Sequence, residues 1–195
     1  MKKSAGVFFL EVFLIVVGVI LGLAANEWRE DRAAKKQAQK SLDYILLEIK
    51  NNQAEVDSII SYHTQIKNSL HKLSNEILTH NKQLTFNDLG DALPKGFKIP
   101  LLQSDAWELA NQARNVNHID YKLAESLSKL YSLQNFCQKK LDKIADNFYI
   151  ASNINPDKIS NLVLAFSALA QDILVQEKRL SKYYSEIIKK LEERH

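Results

Sequence analysis

A chain of 195 residues has room for one domain, or for one domain and an anchor. Its acidic and basic residues nearly balance, at a formal net charge of +3, and they interleave from residue 26 onward, which leaves no basic footprint for nucleic acid. A single cysteine excludes an internal disulfide, and the average of 25% charged and 46% hydrophobic residues conceals a sharp partition along the chain.

A short basic N-terminus, residues 1–6, precedes nineteen residues, 7–25, that carry one charge, Glu11. At 1.5 Å per residue this run spans roughly 28 Å, close to the ~30 Å of bilayer hydrocarbon, and predicts a transmembrane helix. The rival reading is a cleaved signal peptide, with Lys2 and Lys3 as its basic start and Gly22-Leu23-Ala24 as the cut site. The length of the apolar run, the interruption by Glu11 and the helix-favouring sequence through the supposed cut all count against it. On a helix at about 100° per residue, Glu11, Gly18, Gly22, Ala25 and Arg29 fall near one line. Gly18 and Gly22 form a GxxxG, which lets two helix backbones approach closely, and an acid in an apolar span usually faces protein or water. The expectation is a packing stripe of Glu11, Gly18, Gly22 and Ala25. The plainer reading leaves Glu11, about 6 Å inside Val7, reaching for the headgroups.

Asn26, Trp28 and Arg29 mark the membrane boundary, with Trp28 as its interface anchor. Residues 26–41 then read as a charged stalk. Arg29, Arg32, Lys35, Lys36 and Lys40 could meet anionic lipid, or could belong to a solvated stalk, because Glu27, Glu30 and Asp31 interleave with them.

From residue 42 to 195 the sequence predicts helices. Outside the first 22 residues, glycine and proline occur only at Gly90, Pro94, Gly96, Pro100 and Pro156, and no alternating strand pattern is visible. Steps of seven from Leu42 give Leu42, Ile49, Val56, His63, Leu70 and Ile77. The partner line is Ile45, Asn52, Ile59, Ile66, Leu73 and His80. Asn52 and His63 are polar residues on this seam, of the kind a coiled coil uses to set its register. Residues 81–103 read as one long loop. A short helix is expected over 104–115, capped by Ser104 or Asp105, and a longer one over 118–150. The longer helix has an apolar face of Ile119, Leu123, Leu127, Leu130, Leu133 or Gln134, Phe136 or Cys137, Leu141, Ile144 and Phe148. Asn155-Pro156-Asp157 is a start signal for a last helix whose seam is Ile159, Phe166, Ile173, Leu180 and Ile187, flanked by Leu162, Val163, Leu169, Ala170, Tyr183, Tyr184 and Leu191. Residues 42–80 and 156–194 match in length, so the fold expected is all-α: a transmembrane helix continuing into a long antiparallel three- or four-helix bundle.

The run from Glu11 through "VVGVILGLAANEWRED", followed by a basic linker and a heptad helix, resembles a widespread family of uncharacterised bacterial single-pass membrane proteins. That family carries an acid, a V-V/I-G core and an N-x-W-N/R-E boundary. The stretch "AWELA…IDYKLAESLSKLYSL", residues 106 to 133, is similar to the family's second block. The resemblance implies a bacterial inner-membrane protein and brings no activity with it. Counting Lys and Arg beside the span favours a cytoplasmic bundle. The longer basic N-termini of the family imply an exported one, and the expectation leans to the periplasm on that resemblance.

Chemistry-bearing patterns are sparse. His63, His71 and His80 lie eight and nine residues apart, not the three or four that put two metal ligands on one helical face. Glu192 and His195 form an isolated E-x-x-H at the terminus. No glycine-rich phosphate loop, nucleophile elbow or zinc-type cysteine pattern occurs, so no catalytic, metal or cofactor site is expected. Two function classes remain. One is an anchored scaffold or accessory subunit that self-associates or docks onto a membrane protein complex through the stripe. The other is a membrane-anchored sensor whose bundle binds a ligand or partner and transmits through the transmembrane helix.

Overall fold

A computed structural model describes residues 5–151 and 158–193, and all their side chains except those of 5–7, 144–145 and 147–151. The Asn155-Pro156-Asp157 signal, His195, and the side chains of Ile144 and Phe148 lie outside the described residues. Every regular element described is helical: α1 Ala5–His80, α2 Phe86–Ala92, α3 Asp105–Gln112, a 3-10 turn Asn115–His118, α4 Tyr121–Ala151 and α5 Ile159–Glu192.

The long helix α1 runs through 76 residues, about 114 Å, and crosses the end of the apolar run and the charged stretch without a break. No glycine or proline follows Gly22 until Gly90, so nothing in this stretch supplies a stop. Its two halves have opposite environments. Nearly all side chains from Phe8 to Gln37 are exposed. Burial begins at Ala38, one turn before the expected seam, and continues through Leu42, Ile45, Ile49, Val56, Ile59, Ile66 and Leu70.

Helix α5 returns along α1. Lys50 meets Glu192 at 2.6 Å, Gln53 donates to Ser185 at 2.6 Å, and His63 meets Glu177 at 2.7 Å, so rising numbers on one helix pair with falling numbers on the other. Its expected seam is its buried face: Ile159, Phe166, Ile173, Leu180 and Ile187, with Val163, Ala170, Tyr184 and Leu191. Helix α4 runs antiparallel to α5, through Gln134 with Tyr184 and Lys140 with Asp172. On α4 the two open alternatives resolve inward at Gln134 and Cys137, while Phe136 stays half exposed.

The segment expected as a loop contains α2, whose start is a capping box. The Thr85 hydroxyl and the Asp88 amide meet, and Asp88 accepts in return from the Thr85 amide at 2.8 Å. Leu84, Leu89, Ala92 and Leu93 from this region are buried beside Ile66, Leu70 and Phe166. A turn closed by the Gly96 amide on the Leu93 carbonyl follows, and from there to Ser104 the chain runs as a non-helical strap down α1. Arg114, with φ of 58°, turns it out of α3, and Asp120 caps α4 by accepting from the Leu123 amide at 3.0 Å.

Candidate functional site: an exposed apolar helix and a buried polar seam

Two features of α1 stand apart from ordinary core packing. The first is its apolar N-terminal half. Among the described residues, two helices are long and apolar enough to cross a membrane. In α5 a third of the apolar window is buried inside the molecule, where it forms core, whereas in α1 none of it is. Phe8, Phe9, Leu14, Ile15, Val19, Leu21 and Leu23 face outward all round the helix. A helix apolar on every side, without protein cover, loses its solvation in water and gains it in lipid.

On this half Glu11, Gly18, Gly22 and Ala25 are exposed, and Glu11 stands four residues into the predicted span. A Cβ added at Gly18 or Gly22 would meet nothing within 4 Å, so the strip they form is open. At the boundary Asn26 is a small hub. Its amide donates to Glu30 at 2.7 Å, and its carbonyl oxygen accepts from Arg29 at 3.2 Å. The Arg32 guanidinium lies over the Trp28 ring at 5.0 Å.

The second feature is the polar seam. Asn52 and His63 are almost wholly buried, and each holds the strap. Asn52 donates to the Gln103 carbonyl at 2.7 Å and accepts from the Gln103 amide at 2.8 Å, so one side chain satisfies both polar groups of a strap residue. Gln134 of α4 donates to the same carbonyl at 2.8 Å, and its own oxygen accepts from Asn52 at 3.2 Å and from Tyr184 at 2.7 Å. One turn lower, Glu48 accepts from the Tyr131 hydroxyl at 2.6 Å and from the Ala106 amide at 2.8 Å. The start of α3 is therefore held by an acid from α1, whereas the Ser104 hydroxyl donates to Glu108.

Higher up, His63 bridges Glu177 of α5 at 2.7 Å and the Lys98 carbonyl of the strap at 2.9 Å, with Phe97 stacked on its ring at 4.7 Å. Beside it the Tyr62 hydroxyl donates to the Gly96 carbonyl at 2.7 Å. Burial and the Glu48 hydrogen bond push the Tyr131 hydroxyl far above its ordinary range, and burial does the same for Tyr184. Both phenols are therefore fixed donors.

The sequence pattern reads Asn52 and His63 as residues that set a coiled-coil register. In the structure their hydrogen bonds go to the strap and to helices α4 and α5, and the network enlists Glu48, Glu177 and Tyr131, which sequence reasoning did not single out, with Gln134 and Tyr184, which it placed only along apolar faces. A signal for Glu177 existed: steps of seven from Val163 pass Ala170, Glu177, Tyr184 and Leu191, and the acid is the one charged residue on that line. Glu48 lies one turn before Asn52. His71 and His80 are exposed, and no group of three potential metal ligands occurs among the described residues. A cleft of about 510 Å³ opens between α1 and α3, with Tyr44, Leu47, Leu109 and Ala110 in its wall.

No protein-family model, curated protein or solved structure matches the chain.

Proposed function

We propose that the chain is a membrane-anchored helical scaffold or accessory subunit. Residues 7–25 of α1 cross the bilayer once, and the remainder of α1 forms an antiparallel bundle with the strap, α4 and α5. Helix, strap, helix and helix alternate in direction, and the strap takes the fourth place. The observation that carries this reading is the continuity of α1. One unbroken helix is apolar and uncovered at one end and buried in the core at the other. Such a helix fixes the rotation of the bundle relative to the face that carries Glu11, Gly18 and Gly22.

That face docks the chain onto a second transmembrane helix, its own copy or that of a larger membrane complex. The test is crosslinking of the full chain in intact membranes. Gly22→Leu and Gly18→Leu should weaken association, because an added side chain forces the helices apart. Val17→Leu, about 100° from the stripe, should leave it unchanged. Equal behaviour of Gly22→Leu and Val17→Leu would remove the stripe from the account.

The cleft between α1 and α3 favours a second reading, a sensor in which a small molecule seated there shifts α3 against α1. Filling it from the exposed rim with Ala113→Trp would abolish a ligand response but leave scaffold association intact.

A further inference from the structure

The charges that follow the span alternate along the chain but not around it. Because α1 continues through them, each residue turns by about 100°. Arg29 and Arg32 then lie about 60° apart, on the side that carries Gly18 and Gly22. Glu27, Glu30 and Asp31 gather on the opposite side, each at least about 100° from either arginine.

The side chains also point in a definite direction. Arg29 reaches back one turn to donate to Asn26 at 3.2 Å, and Arg32 reaches back one turn to lie 5.0 Å over Trp28. Both guanidiniums therefore sit at the level of residues 26 to 28, within about 5 Å of the end of the apolar run. The headgroup layer is roughly 5–8 Å thick on each side of the hydrocarbon, so this is its level. Lys35 is engaged with Asp31 at 2.7 Å, and Lys36 and Lys40 stand about 16 and 22 Å beyond Ala25, outside the layer.

We propose that Arg29 and Arg32 form a clamp for the phosphate of an anionic phospholipid, seated beside Trp28 on the Gly18–Gly22 face of α1. This rests on the membrane-anchor reading above. A guanidinium presents a planar fork of donors that matches phosphate oxygens two at a time. Neither fork is consumed by a carboxylate: Arg29 gives one donor to an amide oxygen, and Arg32 offers its face to an indole. Glu30 accepts from the Asn26 amide at 2.7 Å and meets Arg29 only through that side chain, with no ion pair to either guanidinium.

The test uses the full chain reconstituted in phosphatidylcholine vesicles with and without phosphatidylglycerol. Flotation reports insertion, and native mass spectrometry counts the phosphatidylglycerol retained relative to phosphatidylcholine. The wild-type chain should retain phosphatidylglycerol preferentially. Arg29→Gln and Arg32→Gln should each lower the ratio by about fivefold, and together bring it near parity. Arg29→Lys with Arg32→Lys should recover only part of it, because the charge returns without the fork. Lys36→Gln with Lys40→Gln should keep the ratio within about twofold of wild type, since both lie beyond the layer. Insertion with an unchanged ratio in the arginine variants overturns the clamp and leaves the ridge to an acidic protein face. An equal loss in the lysine variants overturns it in favour of diffuse attraction. Failure of the wild-type chain to float in any vesicle overturns the anchor reading itself.

Discussion

His63 and Glu177 meet at 2.7 Å in the middle of the molecule, each about 2% exposed, and join the first long helix to the last. The other ring nitrogen of His63 lies 2.9 Å from the Lys98 carbonyl, so the same side chain also holds the strap. His63→Ala should therefore destabilise the fold by about 3–5 kcal/mol, because it leaves a buried carboxyl group without its partner. Glu177→Gln preserves a hydrogen bond at the same place and should cost about 1–2 kcal/mol. Denaturant unfolding followed by circular dichroism checks both values. Equal costs would mean that the pair is not the connection described.

Asn52 supports the strap at its lower end. Asn52→Leu keeps the branched shape but strands the amide of Gln103, whose carbonyl retains Gln134, and should cost about 1–3 kcal/mol. Hydrogen exchange should rise at Gln103 and through the strap before it rises in α4 or α5. Uniform exchange across the molecule would show that the strap has no separate attachment.

These two residues mark the boundary of what the sequence discloses. Spacing alone identifies the seams of α1 and α5, since a burial face on a helix repeats locally and can be counted. It also isolates Asn52 and His63 as polar departures from that repeat. Their partners are another matter. Gln103 lies 51 residues away, and Glu177 lies 114 away, and no local rule pairs residues across such distances. The strap was hidden for a related reason. Gly90, Pro94, Gly96 and Pro100 announce irregular backbone, but nothing in them says whether that backbone floats in solvent or lies between two helices. Thr85 and Asp88 form a capping box for α2 whose spacing is legible in the sequence. The alignment of Glu11, Gly18 and Gly22 along α1 is legible in the sequence, because residues sharing one face need only the period of one helix.

Asp88 supplies a pH prediction. The Thr85 hydroxyl and amide, with Lys82 beside them, hold its carboxyl down to about 2. A carboxyl lowered in the fold contributes stability above its ordinary value of about 3.9, and loses it as the pH falls toward about 2. Amide protection in α2 should therefore persist at pH 5 and fade across that acid range. In Asp88→Asn it should already be reduced at neutral pH and should change less with acid. Identical profiles for the two proteins would contradict the assignment of the cap.

Cys137 should be inert in the folded chain. Burial, and after it the Glu177 carboxyl, pushes its thiol up to about 11. Alkylation at pH 8 should run about a hundredfold slower than in denaturant. A thiol raised in the fold also stabilises below the ordinary value of about 8.5 and less above it, so stability should decline as the pH climbs from there toward about 11. Cys137→Ala should remove that alkaline slope. Rapid labelling of the native chain would place the thiol at the surface.

The central claim is that one continuous helix is both membrane anchor and core pillar. The most direct measurement combines carbonate washing of membranes with the intact mass of the protein recovered. The account predicts that the chain stays in the pellet and retains residues 1–25 joined to the bundle. A soluble protein whose N-terminus begins at Ala25 or Asn26 would contradict it, for the apolar half of α1 would then be a removed leader and not an anchor.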